Sequence, residues 1–127
     1  AWFIWRPTQA APDIAFTGVD GRQFNLRDLR GKVVLVKFWA TSCVTCVRQM
    51  PDTIAAYQKY APQGYETVAV AMRYDPPNYV MNFVQTRKLP FTVVIDSMGK
   101  IAQAFGNVQL TPTAFLIDKQ GNVVKRY

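Results

Sequence analysis

Histidine is absent from this 127-residue sequence, and cysteine occurs only twice, as Cys43 and Cys46. A structural zinc site takes about four Cys or His ligands, and copper and haem sites usually include a histidine. Two thiols cannot supply such a ligand set within one chain. We therefore expect no metal and no cofactor, and a metal shared between two chains is the alternative that stays open.

Long hydrophobic runs are also lacking. No stretch of 18 apolar residues occurs, so no part of the sequence is expected to span a bilayer. The first residues, AWFIWRP, lack an initiating Met and are rich in aromatic side chains. Two interpretations remain for them: the remainder of a removed signal or membrane anchor, or part of the folded surface.

Acidic residues are few, with 8 Asp and Glu against 15 Lys and Arg and a net charge of +7. The basic residues are scattered from Arg6 to Arg126 and form no block, which favours a solvated basic surface. Attraction of an acidic partner or an anionic membrane surface is the alternative. No nucleic-acid-binding motif is visible, so no nucleic-acid partner is expected.

The length fits one domain, which we place at residues 13–127 after an extended lead-in at 1–12. Alternating strand and helix patterns predict an α/β fold with a mixed central sheet, helices on both faces and an N-terminal hairpin. Because no helix pattern follows the last strand, we expect truncation before a C-terminal helix. The predicted elements are a hairpin at 14–24, a helical turn at 26–31, strands at 33–39, 65–72, 91–95, 113–117 and 123–126, and helices at 43–60, 75–87 and 100–105.

The two cysteines form a C-x-x-C motif between an apolar strand, VVLVKFW, and a helix that contains Pro51. A disulfide between them closes a very small loop and stabilises little, because the entropic gain grows with loop length. Redox chemistry suits the position better, because a helix N-terminus favours a thiolate. Cys43 is then the exposed nucleophile and Cys46 the protected resolving thiol, one turn into the helix.

A peroxidase built on one reactive cysteine is a different reading of such a sequence. These enzymes carry P-x-x-x-T-x-x-C. Counted back from Cys43, the threonine and proline positions hold Ala40 and Val36. The peroxidase pattern is therefore absent.

The sequence resembles the TlpA/ResA-like thiol–disulfide oxidoreductases of the thioredoxin superfamily. The likeness extends from Pro12 to Tyr127 and is carried by DLRGKVVLVKFWATSCVTC, RQMP and LTPTAFLIDKQGNVV. It implies a thioredoxin-like fold, with Cys43 as nucleophile and Cys46 as resolving cysteine. It also implies a cis bond between Thr111 and Pro112 that faces the dithiol and leaves the Thr111 backbone free to pair with an extended partner segment.

The sequence departs from that family at positions that tune the chemistry. Ser42 replaces the usual Trp before the first cysteine, and Lys37 stands where relatives carry a buried Asp or Asn. Gln49 stands where an acidic residue is common. Lys37 has two interpretations, a tuning cation beneath the cysteines or a side chain that extends its head to solvent. Trp39 is assigned to the core or, less favoured, to the substrate surface.

The predicted function is thus an extracytoplasmic enzyme that reduces protein disulfides. The resemblance implies a location in the periplasm or on the outer face of a bacterial inner membrane, a membrane-embedded thiol donor, a possible tether upstream of residue 1, and a process such as cytochrome c biogenesis. Two alternatives remain open. One is a redox-inert peptide-binding module, and the other is an assembly factor for a copper centre or cytochrome.

Overall fold

The structure is a computed structural model, and it describes residues 9–127. The eight strands of this part of the chain are β1 (Gln9–Ala10), β2 (Ala15–Thr17), β3 (Gln23–Asn25), β4 (Val33–Trp39), β5 (Tyr65–Ala71), β6 (Thr92–Ile95), β7 (Thr113–Ile117) and β8 (Asn122–Arg126). Its α-helices are α1 (Val44–Tyr60), α2 (Pro77–Arg87) and α3 (Lys100–Ala104), and short 3₁₀ turns cover Leu26–Leu29 and Ala61–Gln63.

Six strands form one mixed sheet in the order β1-β8-β7-β4-β5-β6, and β2 and β3 form a separate hairpin. β4, β5 and β6 run parallel, whereas β7 is antiparallel to both β4 and β8. The parallel pairs need crossover connections, which α1 and α2 provide. The predicted mixed sheet and hairpin are confirmed.

Two hydrophobic clusters lie on opposite faces of the sheet because successive side chains of a strand alternate between faces. On one face, Phe38 and its neighbours pack against the hairpin, the first 3₁₀ turn and α3. On the other, Trp39 packs with Met50 of α1 and Val80 of α2. β4 and β5 are buried on both faces, which explains their nearly continuous apolar sequences.

The lead-in contributes a strand that the sequence pattern does not reveal. Gln9 pairs with Val123 and Ala10 with Asn122, so β1 lies at the edge of the main sheet beside β8. Residues 1–8, with the aromatic cluster at the start, lie outside the described residues. Within 9–127, no helix has the length and hydropathy of a membrane span.

Candidate active site

The C-x-x-C motif lies where the carboxyl end of β4 meets the amino end of α1. Cys43 is the N-cap of α1, with extended backbone angles, and its Sγ accepts the backbone N–H of Cys46 at 3.2 Å. Cys43 is partly exposed, whereas Cys46 is completely buried. Pro51 lies inside α1 without ending it, and the helix buries Cys46, Met50 and Thr53 against the sheet.

The environments of the two thiols differ in the direction that the sequence predicts. Burial alone raises the pKa of Cys43, but hydrogen bonds from the Cys46 thiol, Thr111 and the backbone of Cys46 and Thr45 outweigh it, so this pKa is lowered. Burial and the neighbouring Cys43 raise the pKa of Cys46 to about 11, against smaller lowering effects from Ala40 and Thr111. Thiolate therefore forms more readily at the exposed sulfur.

Thr111 and Pro112 precede β7, and Thr111 lies beside the dithiol. The Thr111–Pro112 bond is cis, as the resemblance implies. The Thr111 side chain lowers the pKa of both cysteines. The structure thus brings these two distant segments together, and both residues are half-buried.

Lys37 points into the protein beneath this end of α1, so the solvent-reaching interpretation is wrong. Only 7% of it is exposed. Its Nζ donates to Thr53 Oγ1 at 2.9 Å and to Gln49 Oε1 at 3.1 Å. Burial lowers the pKa of Lys37, and the charges of Cys46, Asp52 and Cys43 partly offset that effect.

Trp39 is fully buried and packs on Phe83, with 5.1 Å between the ring centroids. A substrate-contacting role for Trp39 is therefore wrong in this structure, because the side chain has no surface to offer. Ser42 is exposed, and with Tyr79 and Arg87 it lines a shallow groove of about 390 Å³ between the cysteine loop and α2.

Sequence reasoning missed the residue that anchors the cysteine loop. Asp75 is 2% exposed, and its carboxylate accepts the Thr41 backbone N–H at 2.7 Å and the Thr41 hydroxyl at 2.5 Å. The sequence pattern predicts a helix that begins at residue 75, and α2 begins at Pro77. The available signal is an Asp four residues after the buried strand β5, near the sheet edge where the parallel strands β4 and β5 both end.

No three His, Cys, Asp or Glu side chains come together in the part of the chain from residue 9 onward. Cys43 and Cys46 are both free thiols. The chemistry that this geometry offers is nucleophilic attack by Cys43, followed by closure of a Cys43–Cys46 disulfide.

Comparison with known proteins agrees with that chemistry. The model of the family described as Redoxin matches residues 6–127. The thiol–disulfide oxidoreductase ResA of Bacillus thuringiensis is 38% identical over 115 residues, which are 91% of this chain and 65% of the relative. The chain thus spans slightly less than two thirds of the length of that relative.

Solved structures show the same fold. A protein of Neisseria meningitidis described as a thioredoxin superposes with a TM-score of 0.87 at 37% identity, covering 95% of this chain and 80% of that one. The exposed lipoprotein thioredoxin of Streptococcus pneumoniae gives 0.78 at 31% identity, with 91% and 88% covered. The thioredoxin-like fold and the TlpA/ResA-like resemblance are confirmed.

Proposed function

The chain belongs to the Redoxin family, and on that premise we propose that it is a thiol–disulfide oxidoreductase that reduces protein disulfides through Cys43 and Cys46. The observation that carries the proposal is the asymmetric pair at the start of α1. Cys43 is partly exposed with a lowered pKa, and Cys46 is buried one turn away with a raised pKa. The ResA relative, which is named for this activity, supports it.

The reaction proceeds in two exchanges. The Cys43 thiolate attacks one sulfur of a partner disulfide, the partner's S–S bond breaks, and the departing sulfur leaves as a thiolate that takes up a proton. A mixed disulfide then joins Cys43 to the partner. Cys46 loses its proton and attacks Cys43 Sγ, which releases the second partner thiolate. The partner gains two electrons, and the protein ends with a Cys43–Cys46 disulfide.

The partner is proposed to be a protein segment in extended conformation. Thr111 lies beside the dithiol just before β7, and a segment that pairs with the backbone there would present its disulfide to Cys43. Ser42 and Tyr79 line the neighbouring groove. The basic net charge of +7 favours a partner that is acidic or neutral around its disulfide.

The direction of electron flow is proposed to be reductive. Neither residue between the cysteines is a His that strongly stabilises the thiolate, since Val44 and Thr45 occupy those positions. We expect a reduction potential below about −180 mV, the value typical of disulfide isomerase. Equilibration with glutathione buffers of graded ratio, followed by acid trapping and mass measurement, gives this value. An inert binding module forms no disulfide in the series, and a potential near −120 mV, typical of a strong oxidant, reverses the assigned direction.

We also propose an extracytoplasmic location, with a membrane thiol donor that returns electrons to the pair and cytochrome c maturation as the process served. The similarity to an exposed lipoprotein thioredoxin supports the location. In intact cells, a membrane-impermeant maleimide is expected to label Cys43. Labelling that requires lysis contradicts an extracytoplasmic site.

A further inference from the structure

The resolving thiol raises a proton-transfer problem. Cys46 is completely buried, and its pKa is raised to about 11, so a thiolate is costly at neutral pH. Among residues 9–127, the only Glu is Glu66, and its carboxylate accepts the backbone N–H of Thr67 in β5. Within those residues, the one ion pair closer than 4 Å joins Arg27 to Asp13, far along the chain from the cysteines. Among these residues, no Asp or Glu is one of the groups that shift the pKa of Cys43 or Cys46.

The charged group that does lie beneath the dithiol is Lys37. In the sheet, Lys37 is paired with Ala69 of β5 and Ala114 of β7, and these small neighbours leave room for its long side chain. Two acceptors, Gln49 Oε1 and Thr53 Oγ1, fix its Nζ against α1. An ammonium group has three N–H donors, so these two bonds leave one donor for a further acceptor.

The titratable groups around Lys37 come from three sides. Cys43 and Cys46 lie above it, and Asp52 acts on it from α1. Below, it lines a groove of about 500 Å³ with Gln49 and Pro112, and the tyrosines of that groove are Tyr60, Tyr65 and Tyr127. A negative charge on Cys46 is the largest of the charge interactions that favour the protonated form of Lys37.

We propose that the Lys37 ammonium is the counter-charge of the Cys46 thiolate in the resolving step, with Gln49 and Thr53 holding it in place. This inference rests on the proposed function and deepens it. When Cys43 is in a mixed disulfide it carries no charge, so the negative charge that develops on Cys46 is the one Lys37 stabilises. The proton of Cys46 passes to water, the Cys46–Cys43 bond forms, the Cys43–partner bond breaks, and the partner thiolate takes up a proton.

Lys37 thus acts by holding a positive charge near Cys46. It affects the second exchange more than the first. Cys43 has its own stabilising hydrogen bonds from Thr111 and the helix N-terminus. Its charge is the weakest of the three that act on Lys37. Gln49 and Thr53 lie three and seven residues after Cys46, so the ammonium that they hold lies along the face of α1 that carries Cys46. A nearby opposite charge typically shifts a pKa by about 1–3 units. Loss of the cation is therefore expected to lower the thiolate fraction of Cys46 at neutral pH about tenfold or more.

The test compares Lys37→Met, Lys37→Arg and the control Lys119→Met, which removes an exposed lysine in the β7–β8 turn. The rate at which Cys46 is alkylated at pH 7, where Lys37 is charged, reports the thiolate fraction of Cys46 and is measured in a Cys43→Ser background. Lys37→Met is expected to lower this rate about tenfold. Lys37→Arg is expected to restore most of the rate, and Lys119→Met to leave it unchanged.

The two exchanges are separated with a symmetrical chromogenic aromatic disulfide, which releases one thiolate on attack by Cys43 and a second on resolution by Cys46. Lys37→Met is expected to slow the second release about tenfold and the first less than threefold. Equal slowing of both releases, or an unchanged rate of Cys46 alkylation at pH 7, overturns the proposal.

Thermal unfolding of each variant shows whether it folds. If Lys37→Met is unfolded, the ¹⁵N resonance of Lys37 Nζ in the natural chain decides instead. It must shift when Cys46 is alkylated, and its constancy refutes the proposal. If the natural protein reduces no protein disulfide, the proposed function fails, while the comparison of Cys46 alkylation rates at pH 7 still decides the role of Lys37.

Discussion

Replacing Asp75 by Ala is expected to destabilise the protein and to lower the reactivity of Cys43. The carboxylate accepts two hydrogen bonds from Thr41, and it is almost completely buried. Hydrogen bonds to a charged group contribute about 1.5–3 kcal/mol each. Loss of both, partly offset by water that reaches the half-buried Thr41, is expected to lower the free energy of unfolding by about 2–4 kcal/mol.

A double-mutant cycle isolates this contact. Thr41→Val removes only the hydroxyl bond and is expected to cost about 1–2 kcal/mol, and the coupling between the two changes should be about 1 kcal/mol. Urea unfolding measures the stabilities, and the alkylation rate of Cys43 reports the geometry of the loop. Asp20→Ala is the matched control, because Asp20 accepts one backbone N–H, from Arg22, at an exposed site. A cost for Asp75→Ala no larger than that of the control refutes the reasoning.

The remaining predictions concern charge and packing. Lys37→Met is expected to raise the free energy of unfolding by about 1–2 kcal/mol at neutral pH, because burying an ammonium costs more than burying a thioether; a decrease in urea unfolding contradicts this. The reduced protein should lose stability between about pH 9 and pH 11, because the folded-state pKa of Cys46 is raised from 9.0 to about 11, and the protonated thiol favours the folded state below that range. Cys46→Ala must remove this part of the pH dependence, and if it persists the raised pKa is not its source. Met50→Ala is expected to cost about 2–5 kcal/mol, because the side chain is 1% exposed in the core under α1; thermal unfolding checks it, and a cost below about 1 kcal/mol places Met50 outside the core.

Much of the fold can be predicted from local sequence, because the pattern of each central strand or helix fits only one type of element. The apolar run of β4 and the helical pattern of α1 each predict one type of element, and the structure places β4 and β7 at the predicted bounds. β1 could not be predicted, since a strand of two residues has no periodicity of its own and exists through pairing with β8.

In the candidate site, too, the features set by local sequence were predictable and those set by long-range packing were not. Cys43 and Cys46 are three residues apart, so their geometry is local and was predicted. The Asp75–Thr41 contact joins segments 34 residues apart and depends on the register of β4 and β5, which one sequence does not reveal. Strand alternation gives the face on which Lys37 lies, but whether a long side chain ends in solvent or inside depends on neighbours such as Thr53 that only the packed structure identifies.

The central claim, nucleophilic exchange by Cys43 with resolution by Cys46, is tested most directly by trapping the intermediate. The Cys46→Ala and Cys43→Ala variants are each mixed with an oxidised protein substrate, and the products are separated without reductant. The account predicts a stable mixed disulfide through Cys43 in Cys46→Ala and none through the buried Cys46 in Cys43→Ala. Accumulation through Cys46, or in neither variant, contradicts it.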